Sequence, residues 1–107
     1  MISFNEFKKI DLRAAKIEKV ENIEKKDKLY LIKLIVGNEK KQIVAGIKEF
    51  YSKEELEGKT IAIVNNLEPA NIGGIKSEAM LLAAKTKDGK YKVTILDENI
   101  EHGTKLE

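Results

Sequence analysis

Two short apolar runs, residues 61–64 and 80–84, enclose a polar loop that holds Pro69, the only proline, and the pair Gly73-Gly74. Runs of this length suit buried strands rather than helices. Proline fixes one backbone angle of the loop and the glycines permit sharp turns. The stretch therefore predicts two buried strands joined by a loop of fixed shape. Beside the second strand it offers two amides (Asn65, Asn66), a hydroxyl (Ser77) and a thioether (Met80). These groups can grip a ligand, but none suggests bond-making chemistry.

Other apolar residues fall into similar short stretches. Residues 10–21 begin by alternating, with Ile10, Leu12 and Ala14 against Asp11 and Arg13. The inward phase then slips to Ala15 and Ile17, and again to Val20. A slip of one residue turns every later side chain to the other face, so a bulge in a long strand is the economical reading. Residues 22–28 predict a polar loop carrying Lys25, Lys26 and Lys28, and residues 29–36 an apolar central strand. Gly37-Asn38 is a hairpin signal, compatible with a type II′ turn. Residues 41–47 alternate, with Ile43, Ala45 and Ile47 on one face. Residues 59–67 and 79–85 give a fourth and a fifth strand. Asp88-Gly89 marks another tight turn, after which Tyr91, Val93 and Ile95 alternate with Lys90, Lys92 and Thr94, as on an edge strand with one wet face. The tail, 97–107, is charged and mostly irregular.

Ser3 with Glu6, and Ser52 with Glu55, have the spacing of capping boxes. Phe4 and Phe7 lie on one side of the first turn. An isolated turn does not hold itself together, so it must dock on its own barrel or on a second chain. A length of 107 residues predicts one domain: an N-terminal turn over 1–9, a barrel over 10–85 and a C-terminal extension over 86–107.

The chain is densely ionised, with 36% charged residues, yet its net charge is only +2. Arg13 is the sole arginine. Lysine meets phosphate as a mobile point charge, whereas arginine supplies planar bidentate contacts. A lysine-rich binder therefore senses charge and shape more than sequence. There is no cysteine, hence no disulfide or thiolate site. A lone histidine, His102, makes no metal site and no nucleophile–base pair. Gly73-Gly74 lacks the Gly-Lys-Ser/Thr continuation of a phosphate-cradling loop. No catalytic residue, metal or cofactor is expected. The N-terminus lacks the apolar core of a signal peptide and no apolar run approaches the roughly 18 residues of a membrane span, so the expected location is cytoplasmic.

Five closely spaced strands, with a helical insert between the third and fourth, predict an all-β chain: the five-stranded Greek-key barrel called the OB-fold, with an extra C-terminal strand. In that fold the face of strands two and three, with the one-to-two and four-to-five loops, carries ligands. Here those loops are 22–28 and 68–77. Lys25, Lys26, Lys28, Lys33, Lys40 and Lys41 lie in or beside that face. Together they would neutralise several phosphates and make binding salt-dependent; singly, each suits a solvated surface as well. Tyr30 fits either a stacking platform for a base or the core. Ser77 fits a ligand contact or a loop cap, and Met80 a soft platform for a base or core filling.

Four separated blocks carry a resemblance: Lys26-Asp27-Lys28-Leu29, Gln42-Ile43-Val44-Ala45-Gly46-Ile47, the run 51–59 and the run 77–84. Across them the sequence resembles the tRNA-binding OB domain family, which includes the C-terminal domain or free beta chain of methionyl-tRNA synthetase and stand-alone tRNA-binding proteins. The resemblance implies an OB-fold homodimer, built through the N-terminal turn and C-terminal strands. It implies structure-specific, sequence-indifferent tRNA binding as a non-catalytic accessory of a synthetase chain or as a free dimer. It places family binding positions at Lys28, Lys41, Ser77 and Met80, with Asn65 and Asn66 nearby. The loop residues Glu68, Ala70 and Asn71 replace the basic residues usual there, and Ala79 a usual glycine. That loop is also similar to the CsaA-type export chaperones, whose ligand is unfolded polypeptide.

Overall fold

Strand β1 (Leu12–Ile23) is the hub of the computed structural model, which describes residues 1–97 and 100–107. Its first half pairs antiparallel with β4 (Thr60–Val64), from Leu12↔Val64 to Lys16↔Thr60. Its second half pairs with β2 (Lys26–Val36), from Lys16↔Ile35 to Ile23↔Lys26. The register shifts between Ile17 and Lys19, where the apolar phase slips in the sequence. Ala15, Ile17 and Val20 are all at most 2% exposed. The bulge thus lets one long strand bend while keeping these side chains on the core. β3 (Glu39–Ala45) adds to the far edge of β2, and β7 (Met80–Leu81) to the far edge of β4, giving the order β3-β2-β1-β4-β7.

The sheet curls until its end strands approach each other. Edge strands present unpaired backbone groups that natural proteins must cover. Here the edge of β3 is covered by the residues just before β7. The Gln42 amide donates to Glu78 Oε1 at 3.1 Å and the Val44 amide to Ser77 Oγ at 3.0 Å. The Glu78 amide donates back to the Gln42 carbonyl at 2.9 Å. The architecture is the all-β, barrel-like one predicted, with its ends bridged by side chains as well as backbone. Ile17, Ile32, Leu34, Ile43, Leu56, Ile61 and Ile63 fill the interior, each buried and each contributing on the order of 2 kcal/mol.

Both capping boxes form, at α1 (Phe4–Phe7) and α2 (Lys53–Leu56). Their docking differs. α2 buries Leu56 completely, whereas α1 buries nothing and leaves Phe4 71% exposed.

Several boundaries depart from the sequence expectation. The predicted loop 22–28 is a tight hairpin: Asn22 and Ile23 finish β1, Lys26 to Lys28 begin β2, and Lys25 turns the chain at φ +64°. The predicted loop 68–77 contains a ribbon, β5 (Ala70–Ile72) against β6 (Ile75–Ser77), with Gly73 and Gly74 at positive φ in its turn. The fifth strand is split into β7 and β8 (Ala83–Lys85), and β8 pairs with β9 (Tyr91–Val93). Ile10 lies outside β1, and both it and Ile95 are exposed. The tail is more ordered than expected: β10 (Lys105–Leu106) pairs with β1 at Leu12 and Arg13. Glu98 and Asn99, part of the predicted extension, lie outside the described residues. Among the described residues, no helix is long and apolar enough to cross a membrane.

Candidate nucleic-acid interface

The two connectors singled out by the sequence meet. A methyl group placed on Gly73 would lie 3.3 Å from Leu29 Cδ1 and 3.5 Å from Lys26 Cε. Leu29 also faces Gly46, where a methyl would sit 3.8 Å from its Cδ2 and 4.0 Å from the Lys28 carbonyl. The turn of the β5–β6 ribbon therefore lies against the start of β2, with Leu29 wedged between two glycines. Lys25, Lys26, Lys28 and Lys76 are exposed around this junction, and none forms an ion pair among the described residues. A phosphate approaching here meets several hydrated ammonium groups on one surface.

The other predicted lysines are placed differently. Lys41 pairs with Leu34, six residues beyond Lys28 along β2, or about 20 Å of strand. Its ammonium donates to the Asn65 carbonyl at 3.0 Å and to Asn65 Oδ1 at 2.8 Å. Asn65 in turn donates to Asp11 Oδ2 at 3.1 Å, and Arg13 Nε donates to Asp11 Oδ1 at 2.7 Å. Asn66 accepts from the Asp11 amide and donates to the Lys9 carbonyl. Burial alone would raise the Asp11 carboxyl; the Asn65 amide and Arg13 guanidinium outweigh it and hold the group below the ordinary aspartate value. Lys33 donates to Gln42 Oε1, and Lys40 reaches Glu18 at 3.4 Å. Lys41, Asn65 and Asn66 are thus engaged with one another and with Asp11 and Lys9 at the far end of β2; Lys40 stays mostly exposed, and Lys33 is linked to the β5–β6 ribbon, because its acceptor Gln42 donates to the Lys76 carbonyl at 2.9 Å.

Of the two readings of Tyr30, the core one holds. It is 5% exposed and its hydroxyl donates to the Tyr51 carbonyl at 2.7 Å. Burial pushes its phenol upward, with Glu54 and Glu55 adding to the effect. Ser77 is likewise buried, and its Oγ accepts from Val44 and donates to the Ala79 carbonyl. Met80 is 49% exposed. It stands opposite Val64, the residue before Asn65.

Residues 12–105 match the family model "Putative tRNA binding domain". The chain belongs to that family.

A methionine--tRNA ligase of Caldanaerobacter subterraneus subsp. tengcongensis is 49% identical over 105 residues, which are 98% of this chain and 16% of that protein. The chain thus spans about a sixth of the curated relative's length. Among solved structures, a MetRS-related protein from Pyrococcus horikoshii superposes with a TM-score of 0.94 at 34% identity, covering 99% of this chain and 97% of that one. The chaperone CsaA of Bacillus anthracis superposes at 0.90 with 27% identity, covering 100% and 99%.

In this tRNA-binding domain, the sequence reading missed Lys76, Leu29, Gly46 and Tyr91. Lys76 carried a signal, since it adjoins Ser77 in the proline-bearing loop. Leu29 and Gly46 stood in blocks that carry the resemblance and Tyr91 in the predicted edge strand, but their contacts come from elements distant in the chain. Among the described residues, no three His, Cys, Asp or Glu side chains converge as metal ligands.

Proposed function

We propose that this chain binds tRNA through backbone charge and overall shape, indifferent to sequence. It acts in the cytoplasm without chemistry of its own, as an accessory to a methionyl-tRNA synthetase chain or as a free homodimer. One observation carries this reading: the ribbon turn at Gly73 packs against Lys26 and Leu29, which brings the exposed Lys25, Lys26 and Lys28, interleaved with Glu24 and Asp27, beside the ribbon that carries Lys76. Family membership and the similarity to methionine--tRNA ligases support it. Lys25, Lys26, Lys28 and Lys76 are assigned to phosphate. Met80 borders the ligand, while Ser77, Lys41, Asn65 and Asn66 hold the surface in shape. The whole of 1–107 serves as a single binding domain.

The test separates these two roles. Lys26→Glu with Lys28→Glu is expected to weaken tRNA binding and to lower the slope of log affinity against log salt by about two. Lys41→Met is expected to keep the slope and lower the melting temperature, because it strips Asn65 of its donor. Unchanged binding and slope in the Lys26/Lys28 double variant would rule out the assignment.

A further inference from the structure

Positive charge is concentrated on the β8–β9 hairpin rather than spread over the chain. Residues 85–92 hold Lys85, Lys87, Lys90 and Lys92 against the single acid Asp88, a net of +3. The whole chain carries +2, so all its other residues together sum to −1. The four lysines are exposed. They also stand on a stiff frame. Ala84 pairs with Lys92 and Lys85 with Tyr91. The turn is closed by the Thr86 amide, which donates to the Lys90 carbonyl at 2.8 Å, and by the Gly89 amide, which donates to the Thr86 carbonyl at 3.0 Å. At the base, the Val93 amide donates to the Tyr51 hydroxyl at 3.0 Å and the Thr94 amide to the Leu82 carbonyl at 2.9 Å.

Neighbouring acids leave most of this charge uncompensated. Asp88 accepts from the Thr86 hydroxyl and reaches Lys90 at 3.7 Å. Glu55, which feels the charge of Lys92, accepts from the Ser52 amide in its helix cap. Lys85, Lys87 and Lys92 form no ion pair among the described residues. Lys90 and Lys92 share one face of the hairpin with Thr86 and Ala84, about 7 Å apart along the strand, a spacing comparable with that of successive phosphates. Lys85 lies on the opposite face, its Nζ 5.7 Å from the centre of the Tyr91 ring. Tyr91 shares a cleft with Gly46 and Ile47, and Gly46 packs beside Leu29. The hairpin thus stands across a cleft from the Lys26–Gly73 junction.

We propose that the β8–β9 hairpin is a second RNA contact, in which Lys87, Lys90 and Lys92 meet backbone phosphates outside the segment held at the junction. The proposal rests on the tRNA-binding reading and extends it to an element that reading leaves unused. An acidic protein is the competing partner. Protein interfaces are anchored by aromatic side chains and are poor in lysine, whereas the face of Lys90 and Lys92 has lysine and no aromatic. Tyr91, the hairpin's one ring, is on the other face and packs on Phe50, with 5.9 Å between ring centres. Lysine without arginine suits charge contact with a phosphate backbone.

The full chain is titrated with total tRNA over a series of salt concentrations, and with poly-glutamate. Lys87→Gln with Lys92→Gln, both at exposed positions, is expected to leave thermal melting unaltered. It should lower the slope of log affinity against log salt by about two and weaken binding roughly tenfold at 0.1 M salt. Lys87→Gln alone should lower the slope by about one. Lys16→Gln with Lys59→Gln removes the same charge from the cleft beneath the tail and is expected to keep the slope. The hairpin and Lys26/Lys28 changes share no partner, so their slope losses should add. A folded hairpin variant with native slope and affinity overturns the proposal. So does a Lys16/Lys59 pair that lowers the slope as much, which would make the effect one of net charge alone. Loss of poly-glutamate binding with the tRNA slope intact also overturns it and assigns the surface to an acidic polypeptide. If the hairpin changes act as expected while the Lys26/Lys28 variant binds like the native chain, the hairpin contact stands and the junction assignment fails. If the unaltered chain binds no tRNA at any salt, both fall.

Discussion

At the scale of single residues, polar side chains near the loops divide into those that face outward and those that hold the sheet. Asp11 belongs to the second kind. An unfolded aspartate titrates near about 3.9. In the folded chain Asn65 and Arg13 hold Asp11 lower. The unfolded chain therefore binds more protons in the window just below the ordinary value. The stability from Asp11 is complete at neutral pH and is lost as pH falls through the lowered folded value. The Arg13 side chain is 36% exposed, so solvent screens that pair and the expected loss for Asp11→Asn at pH 7 is about 1 kcal/mol. Urea unfolding at pH 7 and along a series of falling acid pH checks this: the gap between variant and native chain should narrow as the pH drops below the ordinary aspartate range. A constant gap would assign the stability to neutral hydrogen bonds. Asn65, Asn66 and Ser77 were legible in the sequence as polar groups beside a strand. Their partners were not, because whether Ser77 meets a ligand or the Val44 amide depends on how far the sheet curls.

Elements were legible in proportion to their length. The bulge in β1, the two capping boxes and the hairpin at Gly37 each rest on a local rule, and each is present. The β5–β6 ribbon and β10 are only two or three residues per strand, too short for any periodicity to show. β10 exists because β1 is longer than β2: Leu12 and Arg13 extend past the end of β2, and the tail covers the edge left bare there. Gly103 delivers the chain to that position. Its amide donates to the Ala14 carbonyl at 2.7 Å, its own carbonyl accepts from Arg13, and its φ is +89°. A methyl group on it would lie 2.8 Å from both Cα and N of Gly37. Nearby, the Gly37 amide donates to His102 Nδ1 at 3.0 Å. Gly103→Ala therefore meets a backbone clash as well as an unfavourable φ, and about 2 kcal/mol or more of lost stability is expected. Thermal melting measures the loss. Hydrogen exchange should place the new opening at β10 and the Gly37 turn, with the β2–β3 ladder still protected. A melt indistinguishable from that of the native chain would mean that the tail does not stabilise the sheet.

For the molecule as a whole, the contrast between α1 and α2 bears on assembly. Both are single helical turns with full capping boxes, and a turn of this size does not persist on caps alone. α2 is anchored by Leu56 in its own core, whereas α1 presents Phe4, with Ile2 63% and Ile10 39% exposed beside it. Phe7, Ile10 and Leu106 line a small cleft where α1 meets β10. Apolar residues grouped in this way on an otherwise charged surface suit a protein contact, and in the homodimer proposed above a second copy would supply the same residues in return. Phe4→Glu is expected to convert a pair of chains, each of 12.1 kDa, into single chains in sedimentation equilibrium with the melting of the barrel little changed. This patch lies at the Asn65 end of the sheet, since Asn66 binds Lys9 and Asp11, and so stands apart from the Lys26–Gly73 junction. Any loss of tRNA affinity in Phe4→Glu would therefore come from uncoupling two junctions rather than from damaging one. Two junctions on one rigid pair raise the effective concentration of the second contact, so the affinity of the single chain should fall well beyond the twofold statistical factor. A variant that separates into single chains and still binds tRNA as tightly would show that each junction works alone, and one that remains paired would place the contact elsewhere on the surface.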